Sequence, residues 1–125
     1  MKKLLWTLQI LLAFAFAGSG SLKLFKPGAD LRADPRMGWA SDFSDTQVKL
    51  IGVAEVAGAV GLIVPAATGI AVVLTPVAAA SLAGLMAGAA IVHVGRNEPP
   101  LVPLVLGMLA LAVAVLRFRQ RRVTA

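Results

Sequence analysis

Cysteine is absent from this chain of 125 residues, charged residues make up only 14% of it, and there is a single histidine. Without cysteine there is no structural disulfide, thiol redox chemistry, iron–sulfur ligation or thiolate metal site. A redox role would have to come from a partner or a bound cofactor. The chain also lacks any G-x-x-x-x-G-K-S/T, H-E-x-x-H or G-x-S-x-G pattern, which leaves phosphate-loop, zinc-peptidase and serine-hydrolase chemistry without a sequence basis.

The scarcity of charge is matched by an excess of apolar residues. A hydrophobic fraction of 58% and a mean hydropathy of +0.85 do not fit a soluble domain of this length. The expected architecture is all-α, an integral membrane bundle forming a single domain over residues 1–125. The net charge of +6 lies at the ends of apolar segments, where orientation and anionic lipid account for it better than nucleic acid does.

Four apolar runs are expected as spans, at about 3–25, 45–64, 69–94 and 101–117. The first follows Lys2 and Lys3. Ala15-Phe16-Ala17 resembles a signal-peptide cleavage site, but the apolar run continues through Leu22 to Phe25, which favours a retained helix. Pro27 to Ser44 is the one long polar connection, with Trp39 and Phe43 placed for the membrane interface. Its end is a helix start: Ser44 with Gln47 makes a capping box, and Phe43 with Val48 a hydrophobic staple.

Pro65 should close the second span, with Thr68 a possible cap for the third, making the two a tight antiparallel hairpin. Pro76 should kink the third span and free the carbonyl of Val72. An even number of spans puts both termini on one side. Lys2, Lys3 and the arginines at 117, 119, 121 and 122 assign that side to the cytoplasm, although Lys/Arg totals on the two sides nearly balance.

Chemistry is expected where polarity interrupts these runs. Glu55 sits mid-span, where an acid costs roughly 3 kcal/mol, so the second span needs a partner for it. Gly52, Gly58 and Ala59 share its face and invite close packing. Ala80, Gly84 and Gly88 offer a matching small-residue series on the third span. By rise per residue Glu55 lies roughly 15 Å from the inner ends of the helices and Lys23 roughly 28 Å. Side chains lean toward their own N-termini, so these two lean toward each other. Ser19, Lys23 and Glu55 are therefore the expected polar cluster.

His93 falls roughly 37 Å up, at the outer interface, and without cysteine it makes a poor metal site. No metal site is expected, and His93 is placed at the mouth of a cavity only if the third span tilts inward. The terminal arginines read as a stop-transfer signal before they read as a lipid or partner site.

The stretch WASDFSDTQVKLIGVAEVAGAVGLIVPAATGIAVVLTPVAAASLAGLMAGAAIVH resembles the DoxX-like group of small bacterial four-helix membrane proteins. The likeness is carried by GSLKL at Gly20 to Leu24, by Ile51, Gly52 and Glu55, by the G-L-I-x-P turn, by T-P-x-A-A on the third span and by His93 after a Gly-Ala. The resemblance implies an accessory role in a membrane redox complex, the family being named for a subunit associated with thiosulfate:quinone oxidoreductase. It also points to Glu55 and His93 as the positions to carry over.

The reading these features support is an accessory membrane subunit of a bacterial plasma membrane, not an enzyme on its own, with an apolar cavity near Glu55 for a quinone or lipid-like molecule. A redox partner or a second copy of the chain would complete it. Two alternatives stand beside it: a structural or assembly protein in which Glu55 only locks the bundle, and a small transporter or proton conductor that uses Glu55.

Overall fold

The structure, a computed structural model, describes residues 2–124, with side chains over 2–120. It is all-helical: α1 (Lys2–Phe25), a short α2 (Gly28–Ala33), a 3-10 segment (Pro35–Asp42), α3 (Asp45–Thr68), α4 (Leu74–Gly95) and α5 (Leu101–Thr124). α1, α3, α4 and α5 are each long and apolar enough to cross a membrane. The small moments of α3 and α4 are what helices apolar on every side should have in lipid.

Neighbours pair in the order α1–α3–α4–α5. α1 lies along α3, α3 and α4 form the expected hairpin, α4 lies along α5, and α5 meets α1 over a much smaller area. One core joins all four: Leu12 and Phe16 from α1, Ala59 and Leu62 from α3, Ala79, Leu82 and Met86 from α4, and Ala110, Val113 and Ala114 from α5. Glycines set the closest approaches. A Cβ on Gly20 would lie 2.7 Å from the Gly52 carbonyl oxygen, and one on Gly52 would lie 2.9 Å from that of Gly20, so α1 and α3 touch backbone to backbone. Gly58 seats Leu82, and Gly61 seats Ala78.

The start of α3 is capped as its sequence requires. Ser44 accepts from the Gln47 backbone N–H, and the Gln47 side chain accepts from the Ser44 N–H. Its end differs from the expected one. Pro65 does not close the helix but sits in its last turns, and Gly69, with φ +72°, supplies the left-handed C-cap after Thr68. Pro65 cannot donate to the carbonyl of Gly61, and Thr75 Oγ1 of α4 donates there instead at 2.9 Å.

α4 begins at Leu74, five residues after the expected start, and Val73, not Thr68, is its N-cap. Pro76 therefore falls in the first turn, where a missing N–H leaves no gap, and no kink is required of it. The Val72 carbonyl accepts from the Thr75 N–H at 3.2 Å. α5 runs on beyond residue 117 to Thr124, as long helix-forming basic side chains allow.

The long polar connection is folded. Leu31, Ala40 and Val48 form a small core of their own, with Met37, Trp39 and Phe43 packed against it. Asp34 caps the 3-10 segment by accepting from the Arg36 N–H at 2.9 Å. The result is a strap across the outer end of the bundle, "outer" meaning the end away from the two termini.

Candidate functional site

The outer half of the bundle contains a cavity of about 500 Å³ whose wall includes Ser19, Lys23, Glu55 and His93. Phe16 and Met86, both part of the central core, border it from below, and Met37, Trp39 and Phe43 of the strap border it from above. Most of the remaining wall is aliphatic, from α4 and α5.

Lys23 Nζ lies 2.6 Å from Glu55 Oε1, with Glu55 2% exposed and Lys23 6% exposed. Local geometry explains the meeting. Gly20 faces Gly52; Lys23 lies three residues beyond one and Glu55 three residues beyond the other, in opposite directions, so about 9 Å of rise separates them. Each side chain leans back toward its own N-terminus and so toward the other. Lys23 Nζ also donates to Ser19 Oγ at 2.5 Å and lies 5.5 Å from the centre of the Trp39 ring. The ammonium thus has a carboxylate, a hydroxyl and an aromatic face around it. Apolar surroundings strengthen such a pair, and losing either partner would leave a buried charge.

His93 lines the same cavity without joining this cluster; its Nδ1 is 3.0 Å from Glu98 Oε1. The carboxylate only accepts, so it fixes the proton on Nδ1 and leaves Nε2 of the neutral ring as an acceptor. The depth of His93 follows from the late start of α4: counted from Leu74 it lies about 29 Å up, level with Lys23 rather than above it.

Arg96 ties this corner to the strap, with Nη1 2.7 Å from Asp42 Oδ2 and Nε 3.2 Å from Glu98 Oε1. Its hydrogen bond to Asp42 raises the guanidinium's pKa further above its ordinary value. Among the described residues no group of three or more His, Cys, Asp and Glu side chains is placed to hold a metal.

Of the four glycines expected at helix contacts, Gly52 and Gly58 make them. Gly84 and Gly88 do not: a Cβ on either would meet nothing within 4 Å, and both line the cavity. Both are exposed, so this edge of the chamber is open and unpacked. The helix contacts are made instead by Gly20, Gly61 and Gly107, the last against Met86.

A second polar group lies at the other end of the bundle, and it was not singled out from the sequence. Gln9 Nε2 donates to the Leu62 carbonyl at 2.6 Å, and Arg117 Nε donates to Gln9 Oε1 at 2.7 Å. Arg117 also bonds Gln120 and lies 5.5 Å from the Trp6 ring centre. Its Nη2 is buried without a hydrogen-bond partner among the described residues. The one signal for this group was a lone amide in the apolar run LLWTLQILL, which must find a partner inside the membrane.

A family model described as the DoxX-like family matches residues 7–115. The chain belongs to the DoxX-like family. No curated protein and no solved structure matches it. The part of this DoxX-like chain that the family model covers includes Ser19, Lys23, Glu55 and His93 and stops short of Arg117.

Proposed function

We propose that this DoxX-like protein is a small accessory subunit of a redox complex in the bacterial plasma membrane, with both termini cytoplasmic, and that its chamber holds the head of a quinone or similar lipid-like molecule. The observation that carries the reading is a cavity of about 500 Å³ inside a membrane bundle, apolar over most of its wall, with a buried ion pair on one side. Volume and lining suit a substituted ring.

The polar atoms suit its oxygens. Ser19 Oγ accepts from Lys23 and keeps its own proton to donate to a carbonyl, while His93 Nε2 accepts from a hydroxyl. Trp39 and Phe43, in edge-to-face contact at 5.9 Å, offer ring surface above. The Lys23–Glu55 pair orients Ser19 and keeps a charged edge at one end of an apolar chamber.

A second reading has support of its own: the pair joins α1 to α3 beside the Gly20–Gly52 contact, where a structural lock would sit. Purification in mild detergent with mass spectrometry of lipids and proteins separates the two. The ligand reading expects quinone and redox subunits with the wild type, and loss of the quinone from a folded Glu55→Gln protein. A folded Glu55→Gln protein that keeps its quinone and every cellular phenotype removes Glu55 from the binding site. No quinone with either protein removes the ligand reading and favours the lock.

A further inference from the structure

We infer that the chamber has a second approach, from the outer water through a small vestibule beside the strap, and that the Lys23 side chain is the partition that closes it. This goes beyond the ligand reading and holds whether or not the chamber binds a quinone. It gives the buried pair a route for water and protons from the outer face.

The vestibule is a cavity of about 100 Å³ between the end of α1, the strap and the start of α3. Leu31, Ala40 and Val48, the strap's own small core, form its apolar wall. The rest of it is charged. Arg32 Nη1 lies 2.8 Å from Asp45 Oδ1, Lys49 Nζ donates to the Leu24 carbonyl at 3.1 Å, and all three residues are exposed. A concave space edged by exposed charges is wet, and at roughly 10–15 Å³ for each molecule it has room for several waters.

Among the described residues, Lys23 alone lines both this vestibule and the chamber. A lysine this close to the outer end would ordinarily stretch its charge outward to water. Lys23 does the reverse. Its stem passes Gly52, where a Cβ would lie 3.0 Å from Lys23 Cβ, and its ammonium turns inward to Glu55, Ser19 and the Trp39 ring. The charge therefore faces the chamber, and the hydrocarbon stem lies across the boundary with the vestibule on its other side. Elsewhere the chamber is better separated from water. Met37, Trp39 and Phe43 cover it on the strap side, the packed core lies below, and the open edge at Gly84 and Gly88 is on a spanning helix, where it meets lipid.

The absence of cysteine provides the test. Ala89→Cys puts a single thiol on the chamber wall of the full-length protein in nanodiscs, and sulfonatoethyl methanethiosulfonate, an anionic reagent that stays in water, reads its access. Two second-site variants then share the loss of the ammonium and differ in the stem: Lys23→Met keeps most of it and Lys23→Ala removes it. Both strand Glu55 to the same degree, so loosening of the bundle affects them alike. Labelling is expected to be slow with Lys23 or Met at this position and faster by about tenfold or more with Ala. Adding Val48→Phe, whose ring fills the vestibule, should slow the Lys23→Ala protein again.

Equal rates for Lys23→Ala and Lys23→Met overturn the partition. If both are fast, loss of the pair has loosened the bundle; if both are slow, some other group closes the boundary. Fast labelling with Lys23 in place also overturns it, because the chamber would then be open to water elsewhere. A fast Lys23→Ala rate that Val48→Phe leaves unchanged overturns the vestibule as the route. Quinone retention is read separately, so none of these results is confused with failure of the ligand reading.

Discussion

The two halves of the bundle solve one problem in opposite ways. Each buries polar side chains that link α1 to its neighbours in an apolar setting: Gln9 and Arg117 at the inner end, Lys23 and Glu55 at the outer. The inner group lies at the foot of the packed core, to which Leu12, Leu62, Leu82 and Val113 belong. The outer pair borders empty volume, and the glycines of α4 beside it have no neighbour to fill them. A bundle that needed polarity only to fasten its helices would have packed both ends alike. Close packing at one end and a chamber at the other are what the proposed ligand reading requires, with the Lys23–Glu55 pair and the Gly20–Gly52 contact holding the chamber's own wall together.

The largest expected effect breaks that comparison at its polar pairs. Removing one member of a buried ion pair strands the other charge and costs about 3–5 kcal/mol, whereas replacing both by apolar residues is near neutral. Lys23→Leu and Glu55→Leu should each lower the unfolding midpoint in mild detergent far more than the double change does. Additive losses in the three proteins would mean that the two side chains act independently, and the pair could not be the reason either is buried.

Much of this arrangement was legible in the sequence. The four spans, the α3–α4 hairpin and the capping box at Ser44 follow from apolar run length and from residues with one dominant local role. The approach of Lys23 to Glu55 follows from helical rise and the lean of side chains. The two prolines differ from expectation for separate reasons. At Pro65 the helix runs on because Thr75, fourteen residues from Gly61 along the chain, supplies the bond the proline removes. At Pro76 no bond is missing because α4 starts only at Leu74. That extension of α3 and the late start of α4 shifted the register of His93, which is why its place on the chamber wall was hidden. Gly84 and Gly88 misled because small residues permit both close packing and open space, and only the position of the facing helix decides which.

A smaller effect sharpens the contrast through glycine. Gly52→Ala forces a methyl group against the Gly20 carbonyl and the Lys23 Cβ, so backbones must part. A loss of about 1–3 kcal/mol is expected, as for other overpacked contacts. Gly84→Ala meets nothing within 4 Å and gains helix propensity, so it should be neutral or stabilising by up to about 1 kcal/mol. Parallel melts of the two variants check this, and an equal loss in both would mean that α4 is as tightly packed at Gly84 as α3 is at Gly52.

The smallest effect uses acid, and its sign follows from the strap. Hydrogen bonds from the Arg36 side chain and then its backbone N–H hold the Asp34 carboxyl below its ordinary value of 3.8, against a slight opposing effect of burial. A carboxylate lowered on folding contributes stability that is complete above its unfolded value and is lost as the pH falls through the folded one. Acidification from neutral to about pH 4 should therefore leave this contribution intact, and it should fade only below that. Asp34 is half-buried in the strap at the end of the bundle, so the change is local and modest.

Hydrogen exchange over residues 35–42, followed against pH, should rise only in that lower window. The amides of α1 around Gln9 should stay protected, because Gln9, Arg117, Gln120 and the Leu62 carbonyl include no carboxylate to protonate. Exchange that rises together in both halves would mean that acid acts on the bundle as a whole. Exchange confined to the strap would show that the cover of the chamber can loosen while the packed half that holds the helices stays shut.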